Sequence, residues 1–477
     1  MDRRTFLKNV ARATAVAGAA GTAAWPAAGA GTTAAPVSDE PATAAPSGRL
    51  TLVGAGDCII SRRVRDLTDP DFLAVAELIR GADCAWGNCE IVIGKGGELY
   101  PALKGGDPHA IGDPWTADEL RWMGFRLMGT ANNHTLDYGN EGLVSTLENL
   151  DRVGIAHAGS GLDLEEAARP GFADTAGGRV GLVSCASTFP PFFAAAPTHP
   201  YLKGRPGINP LNVKGKIVVE AATFKQLAAA RKILGELWGE DDFQGLGSSP
   251  PPNPKETDLG GDLTITAGDR VDYLSEADAR DVKRIGEAIT VARGSSRLVI
   301  ASIHAHEARH KMELSDLFLQ PFARAAIDAG ADVYFSSGPH VLRGIEIYKG
   351  KPIFYSLANF FFELDTQRYV PAEDFSGRGL DSRTLDPLAF ERKIGFHKQQ
   401  RFWRSVLPRI TFDGGRVAAI ELFPLTLGFG EPPYRRGTPR LARGQEAAAI
   451  LDHLARLSAP YGTIVEASGD VGRIRLG

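Results

Sequence analysis

Short apolar runs that end in a metal- or proton-binding side chain recur along this chain, and they constrain its fold most. Leu50–Val53 runs into Gly54-Ala55-Gly56-Asp57, and Phe125–Met128 runs into Asn132-Asn133-His134. Leu298–Ile303 is followed by His304, His306 and Glu307, and Val333–Phe335 by His340. Between and beside them lie stretches with helical spacing: Phe72–Ile79, Glu141–Val153, Ala279–Ala292 and Leu317–Ala329. Apolar residues at three- and four-residue steps mark helices, and short apolar runs bounded by turns mark buried strands. With a further strand at Val180–Cys185, this alternation predicts an α/β protein. Parallel strands place their carboxyl ends along one sheet edge, where such proteins hold their ligands. The later strands at 345–348, 352–356, 407–412 and 416–424 predict a second, more antiparallel sheet.

Other segments read differently. Cys84–Ile93 alternates as one strand, with Trp86, Asn88 and Glu90 on one face. Residues 186–275 break the rhythm with Pro-rich loops, the run Gly247–Pro254 and one helix over Ala221–Trp238. They read as an insertion, either a lid or a substrate-recognition subregion. Residues 364–402 mix Arg and Asp and read as a long surface loop. The tail from 443 offers one helix, Gln445–Leu457, and two short strands around Ser468-Gly469. At the other end, Arg3-Arg4 precede Phe6-Leu7, an Ala/Gly-rich apolar stretch and the small-x-small site Ala28-Gly29-Ala30. This resembles a twin-arginine signal peptide over residues 1–30, so the mature chain is expected to be exported to the periplasm or beyond. Residues 31–48 lack large apolar side chains apart from Val37 and read as a disordered linker. No window reaches the ~18 apolar residues of a membrane helix.

Composition narrows the function. The 53 basic and 57 acidic residues of the 477-residue chain give a net charge of −4, which argues against nucleic acid as a partner. Four cysteines are too few for a disulfide scaffold, and Cys58 and Cys89 sit in apolar contexts that suit buried thiols. The strand-end residues carry the chemistry. Asp57, Glu90, Asn133, His304, His306 and His340 together suit a divalent cation with nitrogen and oxygen ligands. Singly, each has a plainer reading: Asp57 as a helix cap, Asn133 in a left-handed turn, His306 on an exposed helix face. Four coincidences at strand ends favour a site.

These residues also carry a family pattern. Gly56-Asp57 with Arg62, Asn88-Cys89-Glu90, Ala131–Gly139, His304–Glu307, Gly338–Glu346 and Tyr355–Phe360 resemble the CapA family of capsule or poly-γ-glutamate biosynthesis proteins. Gly204–Leu211 looks like a subfamily signature. The resemblance implies a calcineurin-like metallophosphoesterase fold: a two-sheet β-sandwich flanked by helices in four layers, over 49–425 with the insertion at about 186–275. Residues 426–477 would pack on it. It implies Asp57, Glu90, Asn133, His304 and His340 as ligands of Mn, Fe or Zn; His306, where the family often has glycine, joins the set by its place after the strand. His134 would be a proton donor oriented by Asp137, whose carboxylate would favour the imidazolium. Arg62, Arg205 and Asn209 would hold an anionic polymer or a phosphorylated substrate, and a capsule-synthase complex would be a partner. Ser336-Ser337-Gly338 stand where the family often has a histidine, and Asp57 is followed by Cys58-Ile59 rather than x-His, so one metal or two stay open. Ala358 replaces a common glycine, which reads as a packing change. Two functions follow: a metal-dependent hydrolase acting on a phosphoester or amide, or a non-catalytic polymer-binding protein that keeps the fold.

Overall fold

In the computed structural model, residues 48–104, 108–238, 255–258, 263–383 and 387–476 are described. The address segment 1–30, the linker up to residue 47 and the Pro-rich run 247–254 lie outside the described residues.

Two large sheets organise the chain. The first is ten-stranded. Its strands Arg49–Ile59, Cys84–Asn88, Leu127–Gly129 and Ala156–Ala158 run parallel in that order. Arg404–Asp413 and Arg416–Thr426 extend it antiparallel on the other side of Arg49–Ile59. The C-terminal hairpin Val465–Ser468 and Val471–Ile474 continues from there, so the tail joins this sheet. The second is six-stranded, with Gly178–Ala186, Leu298–His304, Val333–Ser337 and Lys351–Phe354 parallel and one antiparallel strand at each edge.

Alternation along the parallel strands builds three cores. Leu50, Leu52, Trp86 and Leu127 of the first sheet share a core with Val180, Leu182, Ile300, Val333 and Phe335 of the second. Trp86 and Phe335 stack there with centroids 4.9 Å apart. Val53, Ala85 and Met128 face away from it, onto the helices Pro70–Arg80 and Thr116–Met123. Val299, Ala301 and Ile303 likewise face the helices Ala279–Ser295 and Leu319–Asp328. Strands buried on both faces read as continuous apolar runs rather than alternating ones, which is why their sequence signal was strong.

The structure corrects several expectations. The Cys84–Ile93 strand stops at Asn88, and Val92–Ile93 pairs with Ile111–Gly112 in a separate ribbon, so Glu90 lies in the turn between them. Asp57 does not follow the first strand. It sits within it, at a register shift between its pairings with Asn88 and Asn359 and those of Cys58, and such bulges re-aim side chains. The 364–402 segment is not a surface loop: it forms the helices Ala372–Ser376 and Pro387–Ile394 and buries Phe375, Phe390 and Phe402. The insertion adds to its helix a four-stranded sheet built from Val213–Glu220, Glu256–Thr257, Thr264–Gly268 and Asp272–Ala277. Ala358 is more than a packing change. Its φ of 62° is the left-handed conformation that glycine adopts freely, and its carbonyl accepts from Asp57 N–H at 3.0 Å. All four cysteines are buried and free. Among the described residues no helix is long and apolar enough to cross a membrane.

Candidate metal centre

Register brings the site together. In the first sheet Asp57 lies opposite Asn88, and Asn88 opposite Gly129, which leads into the 130–138 loop. In the second, His304 lies between Ala186 and Ser337, at the ends of their strands. Asp57 Oδ2 accepts the Gly338 N–H at 3.1 Å and so joins the two sheet edges. Asn88 bridges them too, donating to Asp57 Oδ1 at 2.8 Å, with its amide nitrogen 3.1 Å from His304 Nδ1. Gly338, at φ 114°, has no room for a side chain: a Cβ would lie 2.7 Å from the His306 ring.

Glu90 is the centre of the cluster. It is wholly buried, and neither carboxylate oxygen has a hydrogen-bond partner. Its Oε1 lies 3.6 Å from His304 Nε2, 3.8 Å from His340 Nε2 and 4.0 Å from His134 Nε2. Burial and the neighbouring Asp57 push its pKa well above the usual carboxylate range. An orphaned buried carboxylate is costly unless something compensates it. His306 Nε2 approaches His304 Nε2 at 2.9 Å. Burial lowers the pKa of both rings, to about 3 for His304, which leaves them neutral and able to ligate. Two overlapping donor sets result, Asp57 with Glu90 and His304, and Glu90 with His306 and His340, each spanning less than 4.8 Å. Ligand bonds of ~2.0–2.2 Å suit donors at such separations. The residues present therefore fit a divalent cation.

Outer partners orient the donors, as around metal-binding histidines generally. Asn359 Oδ1 accepts from His340 Nδ1 at 2.8 Å, which leaves Nε2 for Glu90's side. Arg343, fully buried, donates to the carbonyls of His306, Glu307 and Met312 and so fixes the loop that carries His306. Asn133, on the loop after Leu127–Gly129, has Oδ1 buried and without a hydrogen-bond partner, while its neighbour Asn132 is spent on Asn88 and the Cys89 carbonyl. His134 Nδ1 lies 2.6 Å from Asp137 Oδ2. Burial and the Lys104 ammonium outweigh Asp137 and lower the His134 pKa, so the expected imidazolium is not favoured.

The three residues expected to hold substrate have partners of their own. The Arg62 guanidinium binds Glu363 at 2.9 Å, the Arg436 carbonyl and Thr438. Asn209 is buried, donating to the Ser184 carbonyl and accepting from Arg284. Arg205 is exposed, with its Nε–H on the Ala194 carbonyl. Sequence reasoning missed Asn88 as the bridge, Arg343, and Lys104, whose ammonium is 2.6 Å from Asp137 Oδ1. Asn88 had a signal in its alternation with Glu90, whereas Lys104 had none.

Comparison with known proteins gives a consistent picture. Residues 51–364 match the family described as bacterial capsule synthesis protein PGA_cap. The y4sH protein of Sinorhizobium fredii (strain NBRC 101917 / NGR234) is 36% identical over 445 residues, covering 89% of this chain and 93% of that protein. The capsule biosynthesis protein CapA of Bacillus anthracis is 22% identical over 322 residues, 66% of this chain and 60% of that one. The PGA biosynthesis protein CapA of Bacillus subtilis (strain 168) is 23% identical over 316 residues, 65% and 62% respectively.

Proposed function

Because the chain belongs to the bacterial capsule synthesis protein family, the CapA family, we propose that it is an exported, metal-dependent hydrolase of capsule, poly-γ-glutamate or related envelope polymers. The observation that carries this reading is the buried Glu90 carboxylate, without a hydrogen-bond partner and faced by Nε2 of His304, His340 and His134. Asp57, Glu90, His304, His306 and His340 would hold the cation, with Asn133 Oδ1 as a further donor. A divalent cation in such a site polarises a phosphoryl or carbonyl oxygen and acidifies a ligated water.

The protein's own groups supply the rest. His134, neutral and hydrogen-bonded through Nδ1 to Asp137, turns Nε2 toward the cluster, where it can take a proton from an attacking nucleophile and return it to the leaving group. Arg205 offers an exposed guanidinium to an anionic chain, whereas Arg62 is committed to Glu363. We read the two sheets, sharing one core and covered by helices outside, as the four-layer metallophosphoesterase arrangement. The twin arginines would deliver the chain to the periplasm or exterior, and Arg3→Lys with Arg4→Lys should leave the precursor in the cytoplasm.

Metal content of the purified mature protein tests the reading. Wild type incubated with Mn, Fe or Zn should retain at least one ion per chain after desalting, and Glu90→Gln should retain less than a tenth of that. A wild type that keeps no ion favours the polymer-binding reading. One observation supports that second reading: Ser337 offers His304 Nδ1 a hydroxyl at 3.4 Å, a weak contact in place of another ligand.

A further inference from the structure

Lys104 has no exposed side-chain surface. Its ammonium donates to the Pro108 carbonyl at 3.1 Å, lies 2.6 Å from Asp137 Oδ1 and stands 3.4 Å from His134 Nδ1. The ammonium and Oδ1 form a buried ion pair. The other oxygen, Oδ2, takes the Ala110 N–H at 2.6 Å and faces His134 Nδ1 at 2.6 Å. A buried ammonium is stable only when paired, and Asp137 pairs it.

The placement does more than pair charges. Lysine has three donors and no acceptor. Beside Oδ1 its charge keeps the buried Asp137 carboxylate ionised and in place, so that Asp137 can only accept from the ring and not donate to it. Oδ2 is then the acceptor left to Nδ1, and a carboxylate oxygen at 2.6 Å requires the proton to be on Nδ1. We propose that Lys104 is a positioning residue: by holding Asp137 it fixes the His134 tautomer with Nδ1 protonated and the Nε2 lone pair turned toward Glu90. The inference rests on the proposed hydrolase only for the use made of Nε2.

Long-range proton–nitrogen correlation on the mature protein with 15N-labelled histidine, in zinc-containing buffer, distinguishes the two tautomers. The His134 signals are assigned by their loss in His134→Gln. Wild type should show protonated Nδ1. Lys104→Met, folded by circular dichroism, should show a mixture in which protonated Nε2 exceeds about a fifth. An unchanged tautomer in that variant overturns the proposal and leaves Lys104 a counter-ion. Should Lys104→Met not fold, Lys104→Met/Asp137→Asn removes both charges together. Its tautomer ratio should equal that of Asp137→Asn alone, since Lys104 acts through Asp137; a ratio that differs overturns the proposal. Metal content of the same samples reports on the hydrolase separately: a tautomer that responds to Lys104 in a protein without metal sinks that reading and not this one.

Discussion

The strand edge that carries the candidate centre and the small sheet of the insertion are built on opposite terms. Helix Leu319–Asp328, behind the site, buries Leu319, Phe322, Ala323, Ala326 and Ile327. Helix Ala221–Leu237 is longer and buries only Gly235, while Ile233, Leu237 and Trp238 are 57%, 75% and 52% exposed. The first region can hold Asp57, Glu90, Asp137 and Lys104 out of water because apolar cores on both sides offset their desolvation. The second has no such surplus, and its described residues include no comparable group. Buried charge is affordable only where packing is dense, so chemistry and stability share one region here.

That contrast can be broken or sharpened by substitution. The largest effect is expected at Gly56, where an added Cβ would lie 1.7 Å from the Ala358 carbonyl oxygen. Gly56→Ala should lose at least about 3 kcal/mol in urea unfolding; a loss below 1 kcal/mol would show that the two strands can part cheaply. Arg343→Met strands the carbonyls of His306, Glu307 and Met312. It should cost about 2–3 kcal/mol and reduce retained metal. If stability falls with metal content intact, the loop does not depend on Arg343.

The tie between the site and the 364–402 segment gives a smaller, pH-dependent effect. Burial lowers the His109 pKa, but Asp374, with both oxygens 3.0 Å from Nδ1, and Asp137 outweigh it and raise it above the ordinary 6.5. A raised histidine pKa gives stability that is fully present below the unfolded value and is lost as pH rises through the folded value. The stability gap between wild type and Asp374→Asn should therefore be widest below pH 6.5 and narrow above it. A gap constant with pH would assign the contact to packing alone. The smallest effect belongs to the insertion: Leu237→Ser should change stability by no more than about 0.5 kcal/mol. A loss near that of a core residue would mean that the helix is covered in the native protein.

The same contrast explains what could be read in advance. Asp57, His304 and His340 could be placed at one edge because buried parallel strands announce themselves as apolar runs and the polar residues ending them stand out. The aromatic residues Phe390, Phe396, Phe402 and Trp403 were visible too, but the Arg and Asp around them suggested a solvated loop. The insertion's strands alternate weakly, as in Val213–Glu220, and the Pro-rich run beside them is the stronger local signal. The ion pairs of Arg62 and Lys104 could not be foreseen. Their partners, Glu363 and Asp137, are chosen by loop geometry that no local pattern encodes.

The donors that surround Glu90 come from residues 57 to 340, and Arg343, beyond them in the chain, holds the loop that carries His306. The proposed site draws donors from both sheets, so it is complete only when the two have closed on each other. Selectivity would then belong to the place where folding ends. Under the proposed export of a folded, metal-binding chain, the ion would come from the cytoplasmic pool, and the exterior would meet a protein already loaded.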